Sequence, residues 1–85
     1  MRKTGEFHEF IIVDNKPLLF YFTRTYTATR EEFFVSVIRS FKVFSFDMQR
    51  DDWKWKITTP VPEWIETLEE ELSKSIKNNM RSERV

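Results

Sequence analysis

Residues 10–22 read FIIVDNKPLLFYF, the most apolar stretch of the chain. Two runs rich in β-branched and aromatic residues flank residues 14–17 (DNKP), each of which favours a turn. This pattern predicts a β-hairpin over residues 6–26. Closing the hairpin symmetrically about that turn pairs Val13 with Leu18 and Phe10 with Tyr21.

Both faces of the first hairpin are apolar near its turn. An antiparallel sheet that is covered on one side normally has a polar outer face. The second apolar face therefore needs a cover, and it consists of Phe10, Ile12, Leu19 and Tyr21. Because contiguous apolar surface often marks an interface, we predict that these residues contact another protein or a second copy. The alternative is that the chain's own helices cover this face.

Residues 30–42 carry a helical pattern. Thr29 and Glu32 fit a capping box at its start. Apolar residues then follow at i, i+1, i+4, i+5 and i+8, a spacing that places them on one helical stripe. They are Phe33, Phe34, Val37, Ile38 and Phe41. We therefore expect the first hairpin to be followed by a helix.

Residues 43–58 alternate between apolar and polar on either side of an Arg50-Asp51-Asp52 turn. Folding about that turn pairs Met48 with Trp53 on the apolar face and Asp47 with Lys54 on the polar face. This agreement predicts a second hairpin. Alternatively, residues 43–48 continue the preceding helix, because their apolar positions also fit that spacing.

A C-terminal helix is predicted over residues 62–80. Pro62 suits its first turn, acidic residues dominate its early turns, and basic residues dominate its late turns. The chain therefore reads as one α+β domain, residues 1–85, in the order β-β-α-β-β-α. The expected architecture is a four-stranded, mostly antiparallel sheet with two helices packed on one face.

Composition limits the function classes. Fourteen basic residues balance fourteen acidic ones, so no net charge draws the molecule toward nucleic acid or an acidic membrane. The chain has no Cys, which excludes disulfides, thiolate metal sites and cysteine catalysis. No apolar run has the length of a signal peptide core or a membrane span. We therefore expect a cytoplasmic protein, and the composition suggests a bacterial or phage origin.

The sequence offers no catalytic or metal-binding set. His8 is the one imidazole, and it lies in a predicted strand with no nucleophile placed to need it. Asp47, Asp51 and Asp52 lie around a hairpin turn without the ligand spacing of a calcium loop. We therefore predict a protein that is not an enzyme, with no cofactor, no metal and no small-molecule substrate.

The prediction for function is a small interaction module that acts by protein–protein contact, as a homodimer or as a regulator or inhibitor of another protein. Its contact surface is the apolar set of the first hairpin. The alternative is single-stranded nucleic-acid binding on the outer sheet face, where lysines and aromatic side chains could hold backbone and bases. The residues for that alternative are Arg24, Lys54 and Lys56, together with Tyr21.

Overall fold

A computed structural model describes the backbone of residues 6–26 and 30–84 and the side chains of residues 6–25 and 30–80. The described residues form five strands and two helices. The strands are β1 (Glu6–Val13), β2 (Lys16–Tyr26), β3 (Glu31–Arg39), β4 (Lys42–Asp51) and β5 (Lys54–Ile57). The helices are α1 (Glu63–Glu66) and α2 (Glu69–Arg84). Neither of them is both long enough and apolar enough to cross a membrane.

The strands form one antiparallel sheet in the order of the sequence, and this sheet curls into a half-barrel. The predicted four-stranded sheet with the order β-β-α-β-β-α is therefore wrong, although the α+β class is compatible with the structure. The additional strand is β3, which replaces the helix predicted over residues 30–42.

β3 shows why that helix prediction failed. Phe33 and Val37 are buried on one side of the strand, whereas Phe34 and Ile38 are exposed on the other. A strand that is apolar on both sides produces apolar pairs four residues apart, which is also the spacing of an amphipathic helix. The β-branched and aromatic content of the segment favours the strand. Thr29, the predicted cap, lies outside the described residues.

The first hairpin closes through a two-residue turn at Asp14-Asn15. Val13 pairs with Lys16 and Phe10 pairs with Leu19, so the register differs by two residues from the predicted one. Because side chains alternate with a period of two, this shift leaves every side chain on its predicted face.

The residues in the turn between β3 and β4 suit their backbone conformation less well than those in the first turn. Ser40 and Phe41 have φ of 53° and 67°, and Asp14 and Asn15 have φ of 51° and 67°. Positive φ at both central residues is the pattern of type I′ hairpin turns, and Asp and Asn tolerate it well. For Phe it costs about 1–2 kcal/mol. Phe41 was predicted on a buried helical stripe, but it is fully exposed at the tip of this hairpin.

β4 and β5 form the second predicted hairpin in a different register. Met48 pairs with Ile57 and not with Trp53, and Lys54 lies opposite Asp51 and not Asp47, a shift of four residues. Trp53 lies in the turn and is 69% exposed, so its predicted place in the core is wrong. The alternative of a helix through residues 43–48 is also wrong, because those residues belong to β4.

The core lies between α2 and the inner face of the sheet. All five strands contribute buried apolar side chains to it, and the helices contribute Ile65, Leu72 and Ile76. Aromatic rings meet edge to face at its centre, with 5.1 Å between the ring centroids of Phe33 and Trp55. Each large side chain that is fully buried there contributes roughly 1.5–3 kcal/mol to stability.

The C-terminal segment predicted as one helix over residues 62–80 forms α1 and α2, separated at Thr67 and Leu68. Two side chains of α2 bond to the outer edge of β5. The Trp55 N–H donates to Ser73 Oγ at 3.0 Å, and the Ile57 N–H donates to Glu69 Oε2 at 2.9 Å. Side chains of the helix therefore satisfy the outward amides of this edge strand.

Candidate interaction surface

The face of the sheet opposite α2 carries an exposed apolar surface, which we call the outer band. Its members occupy the outward positions of four strands near the two hairpin turns. They are Phe10, Ile12, Leu19, Tyr21, Ile38 and Val43. Phe10, Ile38 and Val43 are 65%, 60% and 67% exposed, so most of this apolar surface faces solvent.

A continuous row forms the centre of the outer band. Phe10 pairs with Leu19 across β1 and β2, and Ile38 pairs with Val43 across β3 and β4. The β2–β3 register places Leu19 beside Ile38, one step beyond the last pair, Phe20 and Val37. With neighbouring strands about 4.8 Å apart, this row spans roughly 14 Å.

The outer face changes character along the strands. In the row that contains Tyr21, the neighbours of this band residue are polar: His8 on one side, and Ser36 and Ser45 on the other. The ring centroids of Tyr21 and His8 lie 6.0 Å apart. Charged groups appear farther from the turns, where Glu32 lies opposite Gln49 and accepts a 3.1 Å hydrogen bond from its Nε2. The outer band itself therefore contains no charged side chain.

An ion pair holds the two turns beside the band together. Arg39, at the end of β3, donates from Nη2 to Asp14 Oδ2 at 2.6 Å. The guanidinium of Arg39 also lies 4.5 Å from the ring centroid of Trp64 in α1. These contacts link both turns to the helical side of the molecule, and the pairing of β2 with β3 joins the two hairpins in one sheet.

The predicted partner surface corresponds to four of the six members of this band. Phe10, Ile12 and Tyr21 are exposed and Leu19 is half-buried, all on the outer face. Their role as a contact surface stays a prediction.

Sequence reasoning missed the other members of the outer band, Ile38 and Val43. Ile38 had been assigned to a helix, and Val43 to the start of a hairpin. For Ile38, the signal that favours a strand is the β-branched content of the segment, with Val35, Val37 and Ile38 close together.

The residues of the nucleic-acid alternative do not form one cluster. Arg24 lies on the inner side of β2, with its guanidinium 5.7 Å from the ring centroid of Phe33. Lys54 and Lys56 belong to β5, whereas Tyr21 belongs to β2, so two strands separate them. The geometry does not bring these cations and this aromatic ring together.

Two shallow clefts at the edges of the sheet are lined by residues that the structure describes. A cleft of about 340 Å³ lies at the turn end, beside Asp14 and Arg39. A second, of about 460 Å³, is lined by Arg30, Arg50 and Lys56 among others. There the Arg30 Nη1 donates to Gln49 Oε1 at 2.6 Å, and Lys56 pairs with Asp51 at 3.4 Å.

Among the residues that the structure describes, no three His, Asp or Glu side chains lie together in a way that could hold a metal ion. The predicted turn carboxylates Asp51 and Asp52 therefore form no such group with a described neighbour.

Comparison with protein-family models, with curated proteins and with solved structures finds no match to this chain. The outer band and its geometry are therefore the basis for a functional interpretation.

Proposed function

We propose that this protein is a non-enzymatic, cytoplasmic interaction module that binds a protein partner through the outer band. The observation that carries this proposal is the uncharged apolar row across four strands. A partner that covers the row removes Phe10, Ile38 and Val43 from water. Large apolar side chains of this kind dominate the energetics of protein interfaces.

The size of the exposed surface supports this interpretation. A whole aromatic side chain has about 150–250 Å² of surface. Six side chains, most of them about half exposed, therefore present on the order of 600 Å². That area is at the upper end of the roughly 300–600 Å² that the largest apolar patch on a typical monomer reaches, and such patches are often functional.

Phe41 gives independent support. Its backbone has a positive φ, which Asn or Gly adopts at lower cost. The Phe41 side chain is fully exposed, so no buried contact offsets that cost. Strained positions of this kind are concentrated at binding sites, where the strain presents a side chain for contact. Phe41 lies in the turn that joins the strands of Ile38 and Val43, at the end of the sheet where the outer band is.

Photo-crosslinking in the organism that carries this chain tests the proposal. The photoreactive residue benzoylphenylalanine replaces Phe10 in one variant and Thr25 in a control. Thr25 lies on the outer face of β2 at the opposite end of the strand. We expect a crosslinked protein from position 10 and none from position 25.

A second substitution makes this experiment specific. Ile38→Glu in the position-10 variant places a charge in the central row, so we expect the crosslinked product to disappear. Either equal products from positions 10 and 25, or no product from position 10, would contradict the proposal.

A further inference from the structure

We infer that the partner on the outer band is a second copy of this chain, packed face to face about a two-fold axis. This inference rests on the proposed function and names its partner. A two-fold interface requires a surface that complements itself. An uncharged apolar row meets this requirement, because it offers apolar contacts to its own copy and brings no like charges together. The zero net charge of the chain adds no long-range repulsion between copies.

The exposed area is sufficient for such a dimer. A standard interface buries about 800 Å² on each partner. The outer band supplies on the order of 600 Å² of this by the side-chain estimate above, and the polar row with His8 and Ser45 completes it. Sheets pack face to face at a separation of about 10 Å, which lets side chains of the two rows interdigitate.

Charge at the far end of the outer face sets the direction of packing. Away from the turns this face carries side chains of both signs, among them Glu32, Asp47 and Lys56. Taking charged groups out of water is costly. If the strands of the two copies run in opposite directions, each charged far end extends past the partner and stays in water. Strands running in the same direction would instead place the two charged far ends face to face.

Opposed strand directions place the two-fold axis along the central row. Each residue of the row then faces the same residue of the other copy, so Ile38 lies opposite Ile38 of the partner subunit. The same geometry brings Phe10 opposite Phe10 of the partner subunit, although it lies at the end of the row. With the axis along the strands, Phe10 would instead lie opposite the partner's Val43.

Light scattering during gel filtration measures the first consequence. We expect the purified chain to elute at twice its mass of 10.4 kDa. Ile38→Glu buries two charges in the row, so we expect the dimer Kd to rise at least about 30-fold. Thr25→Glu adds the same charge to the same face outside the outer band, and we expect it to remain dimeric. Circular dichroism checks that each variant is folded, and Phe10→Ser on the edge strand replaces Ile38→Glu if the latter unfolds.

Single-cysteine crosslinking measures the second consequence. The chain contains no Cys, so an introduced one reports without background. We expect Phe10→Cys and Ile38→Cys each to form self-crosslinked dimers with a bismaleimide of about 10 Å reach, the separation of packed sheets. Asn78→Cys, on the exposed side of α2, is the control that does not crosslink.

Three outcomes overturn the inference: a monomeric wild type, a dimer that Ile38→Glu leaves intact, or crosslinking of Asn78→Cys as efficient as that of Ile38→Cys. Efficient crosslinking at position 38 without any at position 10 overturns the opposed strand directions. A monomer whose position 10 crosslinks to a different protein in cells overturns only the self-association, and the proposed function stands. A monomer with no crosslink in cells overturns both.

Discussion

The two faces of the sheet have similar apolar side chains but different surroundings. On the inner face, α2 and the other strands bury Phe20, Phe33 and Phe46 almost completely. On the outer face, Phe10 and Ile38 remain mostly exposed, although they are one position away in the strand from buried neighbours. The inner face is therefore covered by the chain itself, whereas the outer face lacks a cover among the described residues.

Because of this difference, substitutions on the inner face should change the stability of the monomer, whereas those on the outer face should change the proposed binding. Removing an apolar side chain from the inner face leaves a cavity that the surrounding structure cannot fill. Removing one from the outer face leaves the folded monomer nearly unchanged, because that side chain already contacts water. Substitutions on the two faces of one strand can therefore be compared directly.

The largest effect is expected for Phe20→Ala compared with Tyr21→Ala. Phe20 is fully buried, and its loss is expected to cost about 3–5 kcal/mol of the free energy of unfolding. Tyr21 is 51% exposed on the opposite face of the same strand, and its loss is expected to cost less than about 1 kcal/mol. Urea unfolding in the Ile38→Glu background measures both values without a contribution from self-association. Equal losses would mean that the two faces are covered alike.

A smaller loss of stability is expected when a hydrogen bond between α2 and β5 is removed. Ser73→Ala removes the acceptor of the Trp55 amide in a buried environment. An amide that loses its buried partner costs about 1–3 kcal/mol. Ser75→Ala on the same helix is the control, because Ser75 is only half-buried. Hydrogen exchange of the Trp55 amide should accelerate in the first variant only; an unchanged rate would show that this bond does not hold the helix in place.

The smallest effect is a gain in stability on the outer side. Phe41→Asn should raise the free energy of unfolding by about 1 kcal/mol, because Asn tolerates the left-handed conformation and no burial is lost. Asn15→Phe places the same side chain at the matching position of the first turn and should lower it by a similar amount. Thermal unfolding measures both changes. A loss of stability in Phe41→Asn would show that Phe41 packs against the folded monomer.

Sequence patterns predicted the parts of the fold in which the two faces differ. The alternation of apolar and polar residues in β4 and β5 placed Phe46 and Trp55 on the buried side. The register could not be predicted as well, because it depends on which two residues form the turn. Shifts by two and by four residues preserve the alternation, so the pattern did not distinguish them.

The helix prediction for β3 failed for the same reason that the outer band exists: the outer side of the sheet carries apolar residues. With Phe34 and Ile38 on its outer side, β3 lacks the polar face that identifies a half-buried strand. Periodicity alone cannot separate such a strand from a helix. The apolar second face of the first hairpin was recognised because its turn was clear, and it led to the correct position of Phe10 and Ile12 on the sheet.

The bonds from α2 to β5 also bear on the protein's resistance to aggregation. A fibril that grows by pairing of sheet edges requires two unprotected edges on every copy. At the β5 edge, Ser73 and Glu69 already accept the outward amides of Trp55 and Ile57. Pairing through the other edge strand, β1, would join two copies and then stop, because the β1 edge of each copy would already be paired. Edge-to-edge pairing alone therefore cannot extend this strand-rich chain into a fibril.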